Sequence, residues 1–347
     1  MKAIFKPFNI ALAAASCAAL LWGFGAADVA RAQSAPRAAP TTPTTQTVTP
    51  RVAAAFTDWL AQNSHPGGTL ALRRDGKQVT IVAQGSRGQT PAELASLSKS
   101  ITALCLAELV REGRVEMTAP VSAYLQGGGE MRLGDLAAHA AGITADRTQR
   151  KMPEWLDDTR PRWANVTDHA LDRGANGARE KFHYSNENYA ILGRVIEAAS
   201  GKPYEETCRA RVLAPAGVTG RASPRTGAFL PWGGWMMTAG DFAALIDHGY
   251  GAGGPLARIA DWPRVKIDGP VHYGMGMMQR DMPAARGGGT NLWHFGALCF
   301  PDRLMTGSYA VRFANGWTVA AVYGTCPSME QMLALDAAIV AAIFEGP

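Results

Sequence analysis

The chain predicts an α/β (α+β) domain: one central antiparallel sheet flanked by helices, with a mostly helical lobe inserted. Three observations carry that expectation. Two strand-like runs stand near the start of the domain, three more stand near its end, and helical periodicity cut by Pro and Gly fills the space between. Strands so far apart in sequence must meet in one sheet, and whatever separates them leaves the sheet as a lobe.

Residues 1–32 read as a secretory signal peptide and not as part of the fold. Lys2 and Lys6 give a basic start, Ile10–Leu21 is an apolar run broken only by Ser16 and Cys17, and Ala30-Arg31-Ala32 fits a cleavage site before Gln33. The run is shorter than the ~20 residues that a membrane span needs. Ala14-Ala15-Ser16 is a poor lead-in for lipidation at Cys17, so the expected setting is periplasmic or secreted. Residues 33–50, rich in Ala, Pro, Thr and Gln, read as a disordered linker. The domain is then 51–347, enough chain for one large core, with the helical lobe at about 115–231.

Arg51–Gln62 is a helix with Ala53, Phe56, Trp59 and Leu60 along one side. Gly68–Arg73 and Gln78–Ala83 form a hairpin about Asp75-Gly76, a dipeptide suited to positive φ. Ala95–Gly113 follows as a helix apolar on most of its circumference, which belongs inside a protein. Gly240–Gly249 is a short helix. Leu292–Phe300, Ser308–Phe313 and Trp317–Tyr323 are strands, the last two joined at Asn315-Gly316, and Ser328–Phe344 is an amphipathic helix.

Ser96 and Lys99 open the buried helix. Three residues apart, they share a face and can touch. Burial of an ammonium favours its neutral form, a neutral amine can take a proton, and a helix N-terminus steadies developing negative charge. The pair is therefore a candidate nucleophile beside a candidate base. On the S-x-x-K spacing alone, the bland alternative of a capping serine with a snorkelling lysine is the favoured one.

Charge excludes little but nucleic acid. The formal charge of +5 falls to +3 once Lys2, Lys6, Arg31 and Asp28 leave with the leader, and no block of like charge stands out. Cys105, Cys208, Cys299 and Cys326 are too widely spaced for a zinc site, so no metal and no cofactor is expected. Cys299 and Cys326 bracket a strand hairpin and are the preferred disulfide. Cys105 and Cys208 lie in helical patterns and read as buried thiols.

Five segments in one order resemble the serine β-lactamase and penicillin-binding-protein superfamily, on its class C-like side, which also holds D,D-peptidases, D-aminopeptidases and esterases. Ala95–Lys99 (ASLSK) is similar to the nucleophile motif. Leu136–Ile143 (LAAHAAGI) resembles its L-L-x-H-x-x-G segment, Phe182–Gly201 its Y-x-N motif and following helix, and Gly233–Phe242 its G-G-x-x-x-T-x-x-D segment. His294-Phe295-Gly296 stands where K-T-G or H-x-G belongs. The resemblance implies Ser96 as nucleophile, Lys99 and Tyr184 as proton carriers, and Asn186 as a partner of Lys99 and of a substrate amide. It also implies His294, Phe295, Gly296 and Ala297 as substrate-binding, with the N–H groups of Ser96 and Ala297 forming the oxyanion hole.

Taken singly, Tyr184 with Asn186 also fits an ordinary turn, and His139 reads as structural. Trp232 and Trp235 fit either the cleft wall or the core. Gly287-Gly288-Gly289 reads as a loop beside the site. An imidazole and a phenyl ring where relatives carry Lys and a hydroxyl offer little to a carboxylate. The expectation is thus an exported, monomeric serine hydrolase acting on small-molecule ester, amide, peptide or β-lactam substrates, with ester or amide bonds favoured. A β-lactamase or D,D-peptidase, and a non-catalytic cell-wall-binding or sensor module, stay as alternatives.

Overall fold

A computed structural model of the chain describes residues 44–85, 89–284 and 287–344. The expected leader and most of the expected linker lie outside the described residues. Six longer helices organise the fold: α1 (Thr45–Gln62), α2 (Ser98–Arg111), α3 (Trp163–Arg173), α4 (Asn186–Ser200), α5 (Ala239–Tyr250) and α6 (Met329–Phe344).

The first helix begins six residues before the expected Arg51. Thr44 caps it by accepting from the Thr47 N–H, and Val48 and Val52 extend the buried stripe of Phe56, Trp59 and Leu60. Residues 45–50 are therefore helix and not linker. Composition points to a linker there, but Val48 and Val52 are buried, worth about 2 kcal/mol each, which outweighs the amide donor lost at Pro50.

The main sheet is antiparallel and holds eight strands in the order β2-β1-β11-β10-β9-β8-β7-β6. The hairpin β1 (Gly68–Arg74) and β2 (Lys77–Gln84) turns at Asp75 and Gly76, both at positive φ, as the sequence predicts. β9 (Thr290–Phe300), β10 (Leu304–Arg312) and β11 (Trp317–Tyr323) also follow expectation, with β11 against β1. Three strands were not expected: β6 (Val265–Asp268), β7 (Val271–Gly274) and β8 (Met277–Asp281). A second sheet pairs β3 (Ala92–Glu93) and β4 (Arg221–Ala222) with β5 (Trp235–Met237), in the order β3-β5-β4.

Two cores sandwich the main sheet. On one face α1 and α6 meet the outward side chains of Leu70, Tyr309, Val311, Trp317 and Val319. On the other, α2, α4 and α5 with the helical segments between 113 and 233 pack on Ala71, Leu298, Ala310, Ala320 and Val322. β11 is buried along its whole length because both faces are covered, which explains its unbroken apolar run. The central rod is α2, whose residues from Ser98 to Ala107 are all buried. Among the described residues no helix is long and apolar enough to cross a membrane.

Cys299 and Cys326 form a disulfide with a Cα–Cα distance of 5.4 Å, closing the end of β9 onto the chain after β11. Cys105 and Cys208 are buried free thiols. A sequence separation of 27 corresponds to about 3.5 kcal/mol of loop-closure entropy. Replacing both cysteines by alanine is expected to lower the unfolding free energy by about 3 kcal/mol in urea. An unchanged midpoint would show the bridge to be dispensable.

Candidate active site

The turn that carries Ser96 is clamped from three sides. The Leu94 N–H donates to the Trp235 carbonyl, and Ser308 Oγ donates to the Leu94 carbonyl at 2.7 Å. Gly296 of β9 lies against the same turn. A Cβ there would overlap Ser308 Oγ and sit 2.6 Å from the Leu94 carbonyl oxygen. Only glycine lets β9 approach so closely. Held this way, Ala95 adopts φ of 48°, rare for a residue with a side chain and tolerated where surrounding structure over-determines it. Ser96 follows in a single 3₁₀ turn, partly exposed, immediately before α2.

Lys99, one turn along, is fully buried. Its Nζ donates to Asn186 Oδ1 at 2.8 Å and to the Trp232 carbonyl at 3.0 Å, and lies 3.3 Å from Ser96 Oγ. Both firm partners are pure acceptors. A neutral amine would spend its two hydrogens on them and turn its lone pair toward Ser96. The rings of Tyr184 and Tyr189 lie 4.8 and 5.8 Å from the same nitrogen.

Tyr184 reaches Ser96 from the other side, with its hydroxyl 3.0 Å from Oγ. It stands two residues before α4, where Ser185 caps the helix and Asn186 takes the first position. The cap fixes the Y-x-N geometry, since Tyr184 precedes the helix and Asn186 opens it. Beneath Tyr184 lies His139, buried at φ of 57°, its ring 4.4 Å from the tyrosine ring and 4.7 Å from that of Tyr273. Nδ1 of His139 accepts from Asn188 Nδ2. Burial first, then the nearby Lys99, pushes its pKa well below the ordinary imidazole range.

His294 projects from β9 to the same face, with its ring 6.2 Å from Tyr184. The Phe295 carbonyl can only accept, so Nδ1 carries the proton and donates to it at 2.6 Å. Nε2 then accepts from the Tyr273 hydroxyl at 3.3 Å. Burial, helped by Lys99, pushes the imidazole down to about 3. His294 is thus a neutral ring with both nitrogens engaged.

Ser96, Lys99, Tyr184, Asn186, His294 and Gly296 are brought together, and Ala297 follows Gly296 at the partly exposed edge of the site. Phe295 is not brought in. Alternation along β9 sends its ring through the sheet to stack on Tyr309 at 5.2 Å, in the core beneath α1 and α6. Its expected substrate contact is corrected accordingly. Trp232 and Trp235 are core residues, and Trp232 serves the site through its carbonyl. The triglycine loop is also displaced from expectation. Gly289 packs near Ala314, and at ~3.4 Å per residue it lies roughly 20 Å along β9 from Gly296.

Sequence reasoning missed Tyr273 and the polar groups behind Asn186. Val271 and Tyr273 alternate inward on β7, a period-2 signal too short to stand out. Among the described residues no group of His, Cys, Asp and Glu could hold a metal ion.

Comparison with known proteins agrees with this fold. A family model described as Beta-lactamase matches residues 46–339. Penicillin-binding protein 4 of Amycolatopsis lactamdurans is 28% identical over 182 residues, 46% of this chain and 46% of that protein. The chain spans less than half the length of such curated relatives. An octameric penicillin-binding protein homologue from Pyrococcus abyssi superposes with a TM-score of 0.68 at 18% identity, over 84% of this chain and 76% of that one. A D-amino acid amidase from Ochrobactrum anthropi gives 0.67 at 19%, over 85% and 98%.

Two outcomes follow from the geometry. Gly296→Ala is expected to cost about 2 kcal/mol in urea unfolding, because the Leu94 carbonyl must give way as well as the Ser308 hydroxyl. A stability equal to wild type would contradict the close approach. His139 and His294 are neutral when folded, while an unfolded imidazole protonates near 6.5. The unfolded chain binds more protons below that value, so His294 makes stability fall as pH drops from about 6.5 toward about 3, by up to about 1.4 kcal/mol per unit, and His139 acts in the same direction. His294→Gln is expected to make that fall shallower, and an unchanged slope would refute the neutral ring.

Proposed function

The chain belongs to the beta-lactamase family, and from that membership we propose that it is an exported serine hydrolase cleaving ester or amide bonds through a Ser96 acyl-enzyme. The observation that carries the proposal is the convergence of Lys99 Nζ and the Tyr184 hydroxyl on one partly exposed serine oxygen.

Ser96 Oγ attacks the substrate carbonyl as its proton passes to Lys99. Tyr184, hydrogen-bonded to the same oxygen, returns a proton to the leaving alcohol or amine. The oxyanion sits between the N–H groups of Ser96 and Ala297, a reading supported by the close approach of Gly296 to the Leu94–Ala95 turn. Water then repeats the sequence on the acyl-enzyme, with the same groups in reversed roles. Donors placed before reaction need no reorganisation as charge develops, and one such donor is worth roughly 3–4 kcal/mol in the transition state.

Substrate preference follows from what His294 cannot do. A neutral ring tied to the Phe295 carbonyl and the Tyr273 hydroxyl gives a carboxylate neither positive charge nor a free donor. Esters and amides without a carboxylate next to the reacting carbonyl are therefore favoured over penicillins and D-Ala-D-Ala peptides. A β-lactamase or D,D-peptidase activity is the second reading, supported by the likeness to penicillin-binding protein 4. The basic start, apolar run and Ala30-Arg31-Ala32 of residues 1–32 support export, and the proposed enzyme acts as a monomer on a small molecule or peptide.

The test compares initial rates on p-nitrophenyl esters, nitrocefin and D-Ala-D-Ala peptides. Ester turnover is expected to exceed nitrocefin turnover at least about tenfold, and Ser96→Ala or Lys99→Ala to lower kcat by about 10²-fold or more. Nitrocefin turned over faster than any ester would reverse the ranking. Unchanged activity in Ser96→Ala would end the proposal.

A further inference from the structure

Behind Asn186 lies a hydrogen-bond chain that the attack on substrate does not itself use. Asn186 Nδ2 donates to Thr148 Oγ1 at 3.0 Å, and Thr148 Oγ1 donates to Asp146 Oδ1 at 2.6 Å. Thr148 and Asn186 are both buried. The same Asp146 carboxylate takes the Thr148 N–H at 2.8 Å and, through Oδ2, the Asn186 N–H at 2.9 Å. The loop is held to the start of α4 a second time, because the Arg147 N–H donates to Glu187 Oε1 and Glu187 pairs with Arg173.

The chain has one permitted direction. A carboxylate only accepts, so the Thr148 hydroxyl must give its hydrogen to Asp146. Its oxygen is then left to accept, and the group that faces it must be a donor. Of the two ends of the Asn186 carboxamide, only the NH₂ qualifies, which turns Oδ1 toward Lys99 at 2.8 Å. Reversed, the carboxamide would aim an N–H at the amine, consume its lone pair and leave the proton of Ser96 without an acceptor. Two oxygens would also face each other across the Asn186–Thr148 contact, each lacking a hydrogen.

We propose that Thr148 is a positioning residue for the reaction: its hydroxyl, polarised by Asp146, locks the Asn186 carboxamide so that Oδ1 holds Lys99 with its lone pair on Ser96. This rests on the serine acyl-transfer reading above. Thr148 touches neither substrate nor the reacting oxygen. Its effect passes through Asn186, so its loss alters the chemical step more than substrate affinity.

The experiment measures the rate of Ser96 labelling by a fluorophosphonate, with kcat and KM on a p-nitrophenyl ester, for wild type, Ser96→Ala, Thr148→Val and Thr148→Ser. Valine keeps the volume and removes the hydroxyl, while serine restores the hydroxyl alone. Thr148→Ala replaces the valine variant if that one does not fold. The expected result is labelling and kcat about tenfold slower in Thr148→Val with KM changed less than about twofold, and recovery to near wild type in Thr148→Ser. Wild-type rates in Thr148→Val, with Ser96 labelled normally, would overturn this inference and leave the acyl-transfer reading standing. Absence of labelling in wild type would instead remove that reading. The inference is then decided by hydrogen exchange of the ¹⁵N-labelled Asn186 side-chain amide. Slow exchange in wild type and Thr148→Ser but fast exchange in Thr148→Val supports it, and equal exchange in all three overturns it.

Discussion

One buried contact organises the molecule: the Lys99 amine, held between the Asn186 carboxamide and the Trp232 carbonyl and pressed against Ser96. An ammonium out of water with no partner would cost several kcal/mol, so this contact exists only if every surrounding element arrives in place. α2 supplies Lys99 and Ser96, α4 supplies Asn186, and the chain before β5 supplies the Trp232 carbonyl. These pieces are far apart in sequence. The site is therefore a product of the completed fold and not of any local segment.

The sheet contributes by crowding. Gly296 of β9 and Ser308 of β10 trap the Leu94 carbonyl, and the trapped turn forces Ala95 into the left-handed region. Strain of order 1–3 kcal/mol at such a residue is retained because the clamp leaves it no relaxed alternative. The same clamp keeps Ser96 partly exposed while its amine partner is buried. Ser96 is thereby open to solvent while the Lys99 amine is shielded from it.

Much of this was legible in the sequence where the signal is local. The S-x-x-K spacing on a mostly apolar helix, the Asp75-Gly76 and Asn315-Gly316 turns, the three closing strands and the Cys299–Cys326 bridge all rest on contacts between near neighbours or on strong periodicity. Other features depend on distant packing. β6 to β8 are only four or five residues each, and the polar Gln279 takes a buried position on β8, so their membership in the sheet comes from pairing onto β9. Phe295 was placed in the site by its position in a motif, yet strand alternation decides which face it takes. Thr148 and Asp146 carry no motif at all. Their role comes from which atom must donate to which, a property visible only once Asn186 is beside them.

On the proposed mechanism, Ser96 becomes covalently acylated during turnover. Quenching the enzyme in acid while a p-nitrophenyl ester is being consumed, then mapping peptides by mass, tests it most directly. The predicted result is the mass of the acyl group on the peptide that contains Ser96, at the serine itself. An acyl group on any other residue, or steady turnover with no acylated peptide, would contradict the account.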